Sequence, residues 1–299
     1  MDLRGTAVTR REDDHLLRGS AAFVADLDFD NAAYVHYLTS TSAHAELRSI
    51  DVSSALSMPG VVDIFTNSDL DIGPYPSANP IFDEAMVRPL LAHQRVRFVG
   101  EPIAAIVADS PASARDAAEL IEVDYAPLDA VVDPEKALDA EVLLFDNTTE
   151  GNVVCRMEAE GLLADFDSCE VVTEVRTVNN RLAPAPIETR VAAARWGDDG
   201  RLHCYNAGQG PHPVRAVIAS ILEIDNEQLR VVSRDVGGSF GAKARPSPEE
   251  AILGWIARQV ERPVIWVPSR SDDMVGLGHG RGQIQYCRIG GTTEGKILA

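Results

Sequence analysis

The amino-acid sequence predicts an α+β fold, and three observations lead to that prediction. Short apolar or alternating runs bounded by Gly, Pro and Asn recur along the 299 residues, as expected for β-strands. In other segments apolar residues recur every three or four positions, as on one face of a helix. The composition, 45% hydrophobic and 24% charged, is ordinary for a globular protein, and the length predicts more than one domain.

The first half is predicted to open with an irregular polar segment and then to alternate between strands and helical segments. The predicted strands are Ala33–Thr39, 47–52, 61–65 and Pro102–Ala108, with a short helical turn at 53–58 and a Pro-, Gly- and Ser-rich loop at 67–80. A helix is predicted to begin at Ser110-Pro111, since serine caps a helix and proline suits its first turn.

Residues 133–161 are predicted to be a connector, because they are acidic and show no regular period. Beyond them the predicted strands are 170–179, 191–196, Leu202–Asn206, Leu229–Val232, 263–267, 283–289 and 296–299. Helices are predicted after Pro211 and after Ser247-Pro248.

The segment Val236-Gly237-Gly238-Ser239-Phe240-Gly241-Ala242-Lys243 leaves its backbone almost bare of side chains. Glycine permits positive φ and close approach of a ligand, so successive N–H groups can converge on an anion. The segment matches neither a Walker A loop nor the dinucleotide-binding fingerprint. Two interpretations remain open from these residues alone: a ligand-binding loop, or a tight turn with Phe240 packed beneath it.

A second bare loop, Ala207-Gly208-Gln209-Gly210-Pro211-His212, lies between a predicted strand and a predicted helix. Gln209 therefore stands beside a helix N-terminus, where backbone N–H groups favour anions. The alternative for this residue alone is a structural glutamine. Two glycine-rich loops within about thirty residues favour a binding site.

The charge and residue spacing exclude several classes of function. A net charge of −19 argues against a nucleic-acid partner, which would need clustered Lys and Arg. No apolar run is long enough to span a membrane, and the first residues lack a secretory signal, so we expect a cytoplasmic protein. The four cysteines and seven histidines show no ligand spacing, so no protein-ligated metal is predicted.

The two glycine loops resemble the cofactor-contacting loops of the molybdenum hydroxylases. This family includes xanthine dehydrogenase, aldehyde oxidase and the large chain of aerobic carbon monoxide dehydrogenase. Further similar segments follow the family's order along nearly the whole chain: Leu16-Leu17-Arg18-Gly19, Val99-Gly100-Glu101-Pro102, Ala183-Pro184-Ala185-Pro186-Ile187-Glu188 and His279-Gly280-Arg281.

The resemblance implies a domain order. Residues 18–132 would form an α/β hammerhead domain of the aldehyde oxidase and xanthine dehydrogenase type, and 133–161 a connector. Residues 162–299 would form the first, incomplete part of a molybdopterin-binding domain. The chain is therefore expected to be the N-terminal portion of a large subunit.

The resemblance also implies site residues. Gln209 would donate a hydrogen bond to an oxygen ligand of molybdenum, beside Gly210. Gly238, Phe240 and Gly241 would line the metal and pterin through backbone N–H groups, and Phe240 would also border the substrate. Ser239 is also a predicted cofactor-binding residue, although the family usually has glycine at this position. His212, Arg215, Lys243 and Arg281 are weaker candidates, with a surface or structural role as the alternative.

The molybdenum hydroxylases oxidise an aldehyde, an N-heterocycle or carbon monoxide, with water as the oxygen source. The resemblance implies a molybdenum–molybdopterin cofactor in its cytosine dinucleotide form, held through the pterin dithiolene. No catalytic residue is assigned in this chain, because the family's catalytic glutamate is expected beyond Ala299. The chain opens directly on the hammerhead region, so an iron–sulfur small subunit with 2Fe-2S centres and an FAD medium subunit are expected as partners.

Two alternatives to a working hydroxylase remain. The first is a catalytically inactive assembly or binding module that retains the fold, which a separately encoded C-terminal half would argue against. The second is an unrelated anion-binding domain that uses the glycine loops for phosphate. The ordered matches along the chain favour the molybdenum hydroxylase.

Overall fold

The computed structural model describes residues 4–159 and 164–299, and within them eight α-helices and twelve β-strands. The strands are β1 Ala33–Thr39, β2 Ala45–Asp51, β3 Val61–Thr66, β4 Arg95–Val96, β5 Pro102–Ala108, β6 Glu122–Pro127, β7 Val171–Leu182, β8 Ala192–Trp196, β9 Leu202–Asn206, β10 Leu229–Val232, β11 Val264–Trp266 and β12 Gly280–Gly291. The helices are α1 Asp13–Leu17, α2 Ser53–Leu56, α3 Pro111–Ala118, α4 Pro134–Ala137, α5 Pro211–Leu222, α6 Pro248–Ala251, α7 Leu253–Gln259 and α8 Arg270–Gly276.

A seven-stranded mixed sheet forms the centre of the molecule, in the order β10-β9-β8-β11-β1-β5-β3. Strand β1 pairs in parallel with β11 and antiparallel with β5, so strands from the two predicted regions share one sheet. The predicted domain ranges remain a prediction. The connector end at 161 and the domain start at 162 lie outside the described residues.

Both faces of the central sheet are buried, as strand β5 shows. All seven of its residues are buried, and from Ala104 to Ala108 they alternate between two cores. Ala105 and Val107 belong to a large core under α5, α6 and α7, whereas Ala104, Ile106 and Ala108 pack with α3. Because successive side chains of a strand point to opposite faces, a continuous apolar run fits a strand covered on both sides.

Two smaller sheets flank the central one. Strands β4, β2 and β6 form a three-stranded antiparallel sheet. Strands β7 and β12 form a long, largely exposed antiparallel ribbon that pairs Val171 with Gly291 at one end and Leu182 with Gly280 at the other. Within the described ranges, no helix combines the length and the apolar character that crossing a bilayer would require.

The structure confirms the α+β class and most predicted elements, with ends shifted by a few residues. The opening segment contains helix α1, where an irregular segment was expected. The predicted strand at 296–299 is wrong: Ile297 forms only an isolated bridge to Gly291. Strands β4 and β6 were not predicted, because one has only two residues and the other carries charged residues and a terminal proline.

Candidate functional site

The two glycine-rich loops leave the same edge of the central sheet and meet there. They follow β9 and β10, which are parallel neighbours, so the carboxyl ends of both strands face one side. The Gln209 N–H donates to the Lys243 carbonyl at 3.1 Å. The Ser239 hydroxyl donates to Gln209 Oε1 at 2.5 Å. This is the type of strand-end crevice in which α/β proteins bind ligands.

The Ser239 hydroxyl orients the side-chain amide of Gln209. It accepts a hydrogen bond from the Lys243 N–H at 3.0 Å while it donates its own proton to Gln209 Oε1. Because this hydrogen bond occupies Gln209 Oε1, the Nε2 group of the exposed Gln209 side chain remains available as a donor. Sequence analysis placed both residues at the site but did not anticipate this contact.

The backbone of residues 238–241 has unusual dihedral angles and N–H groups without a partner in the described part of the chain. Gly238, Phe240 and Gly241 have φ of 103°, 53° and 90°. The N–H groups of these four residues make no hydrogen bond to any described residue. Successive N–H groups in such a conformation make an anion-binding nest. A Cβ added to Gly241 would meet nothing within 4 Å, whereas one added to Gly238 would lie 3.2 Å from the Pro186 Cβ, so the segment is open to a ligand at its Gly241 end.

Phe240 stands outside the loop and does not pack beneath it. Its side chain is 78% exposed. The interpretation of the loop as a turn with a buried phenylalanine is therefore wrong. The Phe240 φ of 53° is a left-handed conformation that is uncommon for a bulky side chain.

A buried ion pair supports the loop from below. Lys243, 3% exposed, places its Nζ 3.3 Å from Glu188 Oε2. The same carboxylate oxygen accepts the Gly237 N–H at 2.7 Å. A Cβ on Gly237 would come within 2.5 Å of the Glu188 Cβ, so the close approach requires glycine there. The sequence alone does not reveal the role of Glu188, because it and Lys243 are 55 residues apart in the chain.

The start of the loop is tied to the N-terminal segment. One carboxylate oxygen of Asp235 lies 2.9 Å from His15 Nε2, and the other accepts the Ala22 N–H at 2.8 Å. The Ala22 hydrogen bond, followed by the His15 hydrogen bond, holds the pKa of Asp235 below its usual value. The exposed helix α1 thus contacts the loop, which the predicted irregular segment did not suggest.

A second charged cluster lies beneath the site. Arg190 bonds Asp273 at 3.0 Å and Glu249 at 3.2 Å, and all three residues are buried. The neighbouring Glu250 is also buried, and burial raises its pKa to about 7. The Ser247 N–H and the charge of Arg190 oppose that rise.

The weaker candidates lie in three different places. Lys243 is structural, as the ion pair with Glu188 shows. His212 and Arg215 line another cavity, of about 450 Å³, and Arg281 is exposed on strand β12. Among residues 4–159 and 164–299, no three His, Cys, Asp or Glu side chains are grouped so that they could hold a metal ion.

Comparison with known proteins identifies the two halves. Residues 18–129 match the a/b hammerhead domain of aldehyde oxidase and xanthine dehydrogenase, and residues 145–299 match the molybdopterin cofactor-binding domain. The nicotine 6-hydroxylase large subunit of Paenarthrobacter nicotinovorans is 33% identical over 98% of this chain and 36% of its own length. The carbon monoxide dehydrogenase large chain of Afipia carboxidovorans is 30% identical over 99% of this chain and 39% of its own.

The solved structures agree with this comparison. Quinoline 2-oxidoreductase from Pseudomonas putida 86 superimposes with a TM-score of 0.88 at 35% identity, over 98% of this chain and 38% of the other. The chain thus spans less than two fifths of these relatives. It belongs to the molybdenum hydroxylase family, whose large subunits carry this hammerhead and molybdopterin-binding pair of domains.

Proposed function

We propose that this chain supplies the first part of the molybdopterin site of a molybdenum hydroxylase. The observation that carries the proposal is the row of free N–H groups at residues 238–241, with the Gln209 amide directed by Ser239 across the same crevice. Four bare or small positions, Gly210, Gly238, Ser239 and Gly241, and one oriented amide suit a flat, oxygen- and sulfur-rich cofactor. The N–H groups that make no hydrogen bond to a described residue would be available to acceptor atoms of the cofactor.

Each residue has a distinct proposed role. Gln209 donates from Nε2 to the bound cofactor, and Gly210, the N-cap of helix α5, leaves its backbone open beside it. Gly238, Ser239, Phe240 and Gly241 donate through their backbone N–H groups. Exposed Phe240 borders the space in which a substrate would lie. When bound, the cofactor supplies the two-electron chemistry of substrate oxidation.

The proposed reaction is hydroxylation of an N-heterocycle. Two relatives of known structure or sequence are named for nicotine and quinoline, both N-heterocycles. In such a reaction a ring C–H and water give a ring C–OH, two electrons and two protons. Aldehydes and carbon monoxide remain the other substrate classes of the family.

The proposed assembly follows from the length of the relatives. We infer that the catalytic glutamate lies in sequence that corresponds to the rest of those chains, on a continuation of this chain or on a separately encoded half. The electrons would pass to 2Fe-2S centres and FAD on partner subunits. The cofactor is proposed to be the cytosine dinucleotide form, and the domains are proposed to be 18–132 and 162–299 joined by 133–161.

The first test is metal and pterin analysis of this chain, purified gently from its native cells with the subunits that accompany it. We expect molybdenum and pterin in equal amounts, and oxidation of a quinoline- or nicotine-type heterocycle with oxygen taken from labelled water. Gln209→Ala should lower turnover by about tenfold or more, as expected for loss of a hydrogen bond to a charged or strongly polar group.

Gln259→Ala is the matched control, because Gln259 is an exposed glutamine at the end of helix α7. It should leave turnover and molybdenum content unchanged. If Gln209→Ala behaves like this control, the site assignment is wrong. If the native complex contains neither molybdenum nor pterin, the inactive assembly module replaces the proposed hydroxylase.

A further inference from the structure

A large cleft rich in arginine lies beside the glycine loop. Its volume is about 980 Å³, and Gly241 and Ala242 form part of its wall. Five arginines and one histidine line it, and no aspartate or glutamate does: Arg88, Arg97, Arg181, Arg190, Arg245 and His279. The whole chain has 46 acidic and 27 basic residues, so its net charge is negative. A cleft whose charged lining residues are all basic therefore has the opposite sign to the chain as a whole.

Two of these five guanidinium groups lack polar partners among the described residues, and a third is only partly engaged. The side chains of Arg88 and Arg181 make no hydrogen bond or ion pair there. Arg245 donates from Nη2 to the Pro76 carbonyl at 3.2 Å, but its Nε is buried without a partner. Arg190 differs, since Asp273 and Glu249 neutralise it. Each guanidinium carries five N–H donors, so the cleft holds many unused donors.

Arg88 and Arg245 converge on one part of the cleft. The Arg245 guanidinium lies 5.5 Å from the Tyr75 ring centre, and that of Arg88 lies 5.1 Å from the Phe98 ring centre. Burial raises the pKa of Tyr75, a hydrogen bond with Arg245 and the charges of Arg245 and Arg88 oppose the rise, and the charge of Glu250 adds to it, so both arginines lie near the same phenol. Stacking on an aromatic ring holds a guanidinium flat and leaves its N–H edge free for an oxyanion.

Apolar side chains also line the cleft, and its size lies in the range of pockets for small ligands. They are Phe145, Val131, Val132, Leu144 and Leu277, and the Arg97 guanidinium lies 4.5 Å from the Phe145 ring centre. A ligand with a flat apolar body and an anionic group would match this mixture of apolar and basic lining. Phosphate and carboxylate oxygens are the groups that the planar guanidinium fork binds best.

We propose that this cleft binds the anionic group of a small molecule, a phosphate ester or a carboxylate, against Arg88 and Arg245. A phosphate would belong to the cofactor's own phosphate groups, and a carboxylate to an aromatic acid that serves as substrate or effector. The choice between these sources rests on the proposed function. The anion site itself rests on the cleft alone.

The test uses the full 299-residue chain produced in cells that cannot make the pterin cofactor, so that no endogenous phosphate fills the cleft. Binding of pyrophosphate, benzoate and the neutral isostere benzamide is measured by calorimetry at low and high salt. We expect saturable binding of at least one anion that weakens with salt, and benzamide binding that is at least tenfold weaker than that of the bound anion. Pyrophosphate alone indicates a phosphate site and benzoate alone a carboxylate site, while binding of both supports a general oxyanion site.

Arg88→Gln and Arg245→Gln should each weaken anion binding about tenfold or more, because each removes charge-assisted hydrogen bonds. Arg245→Lys should recover part of the affinity, since it restores the charge without the fork. Arg115→Gln, an exposed arginine on helix α3, is the control and should bind as the wild type does.

Among the described residues the Arg88 side chain stacks on Phe98 and makes no hydrogen bond or ion pair, so Arg88→Gln should change thermal unfolding little. This variant decides the matter if Arg245→Gln does not fold. The proposal is overturned if neither anion binds, if benzamide binds as tightly as benzoate when benzoate is the only anion bound, or if Arg88→Gln binds unchanged. Failure of the proposed hydroxylase would show separately, as the absence of molybdenum from the native complex.

Discussion

At the scale of a single residue, the Ser239 hydroxyl helps to shape the site. It links the two glycine loops by accepting from Lys243 and donating to Gln209. The family resemblance implies glycine at this position, so the serine adds one donor and one acceptor that a glycine lacks. Its effect on the cofactor would act through Gln209, which makes Ser239's side chain a positioning group.

Ser239→Ala should lower turnover of the native complex about threefold to tenfold, the effect of one ordinary hydrogen bond. A double-mutant cycle separates this role from a direct contact. Because Ser239 acts through Gln209, the double variant with Gln209→Ala should be no slower than Gln209→Ala alone. Fully additive losses in turnover would show that the Ser239 hydroxyl acts independently.

Glu188 and Lys243 form the other residue-scale feature of the loop. Their ion pair holds the Gly237 N–H and places the Lys243 carbonyl where it accepts from Gln209. Glu188 Oε1 is buried without a partner among the described residues. Such a group costs free energy, which a stability role alone does not explain, and it lies directly under the proposed cofactor loop.

At the scale of a secondary-structure element, helix α6 has a well-capped N-terminus and a buried acidic residue. Ser247 and Glu250 form a capping box, in which the Glu250 carboxylate accepts the Ser247 N–H at 2.6 Å. The sequence predicted this helix start from its serine, proline and acids. It did not predict that Glu250 is buried, since exposed glutamates are the usual members of such boxes.

Glu250→Gln should change how stability depends on pH. Burial raises the Glu250 pKa from 4.5 to about 7, so the folded state binds a proton more tightly than the unfolded state. This contribution to stability is fully present below about pH 4.5 and is lost as the pH rises through about 7. The wild type should therefore lose up to about 1.4 kcal/mol per pH unit relative to the variant across this window.

Urea unfolding of both proteins between pH 5 and 8 measures this difference. Subtracting the two curves removes the contributions of the other titrating groups. A difference in unfolding free energy that stays constant with pH would show that Glu250 is ionised throughout, stabilised by Arg190 and the Ser247 N–H.

At the scale of the whole molecule, the buried Arg190 side chain connects parts of the chain that are distant in sequence. It lies just before strand β8, and its partners Glu249 and Asp273 lie on helices α6 and α8. Its guanidinium also lies 5.3 Å from the ring centre of Trp266 on strand β11. Through these contacts one side chain connects the central sheet to two helices near the candidate site.

Arg190→Met should destabilise the chain by about 3–5 kcal/mol, because it leaves the carboxylates of Glu249 and Asp273 buried without their cation. Denaturant unfolding at neutral pH measures the loss, and Arg115→Met on exposed helix α3 serves as the control. Adding Glu249→Gln and Asp273→Asn to Arg190→Met should restore part of the stability. A loss below about 1 kcal/mol for Arg190→Met alone would contradict this account.

The sequence by itself determined the α+β class, most elements and the family. Local patterns carry this information: alternation for strands, capping residues for helices, and bare glycine loops in a fixed order. The same loops placed Gln209, Gly210, Gly238, Ser239, Phe240 and Gly241 together as site candidates, and the structure brings their two loops into contact.

Only the tertiary structure decided which groups support and surround that site. The Lys243–Glu188 pair, the Arg190 cluster and the arginine cleft each join residues dozens of positions apart. Their burial depends on how the sheet and helices pack, which no local spacing encodes. The single sheet that joins both predicted regions, through β1 and β11, has the same origin: strand pairing across more than two hundred residues is a property of the folded chain.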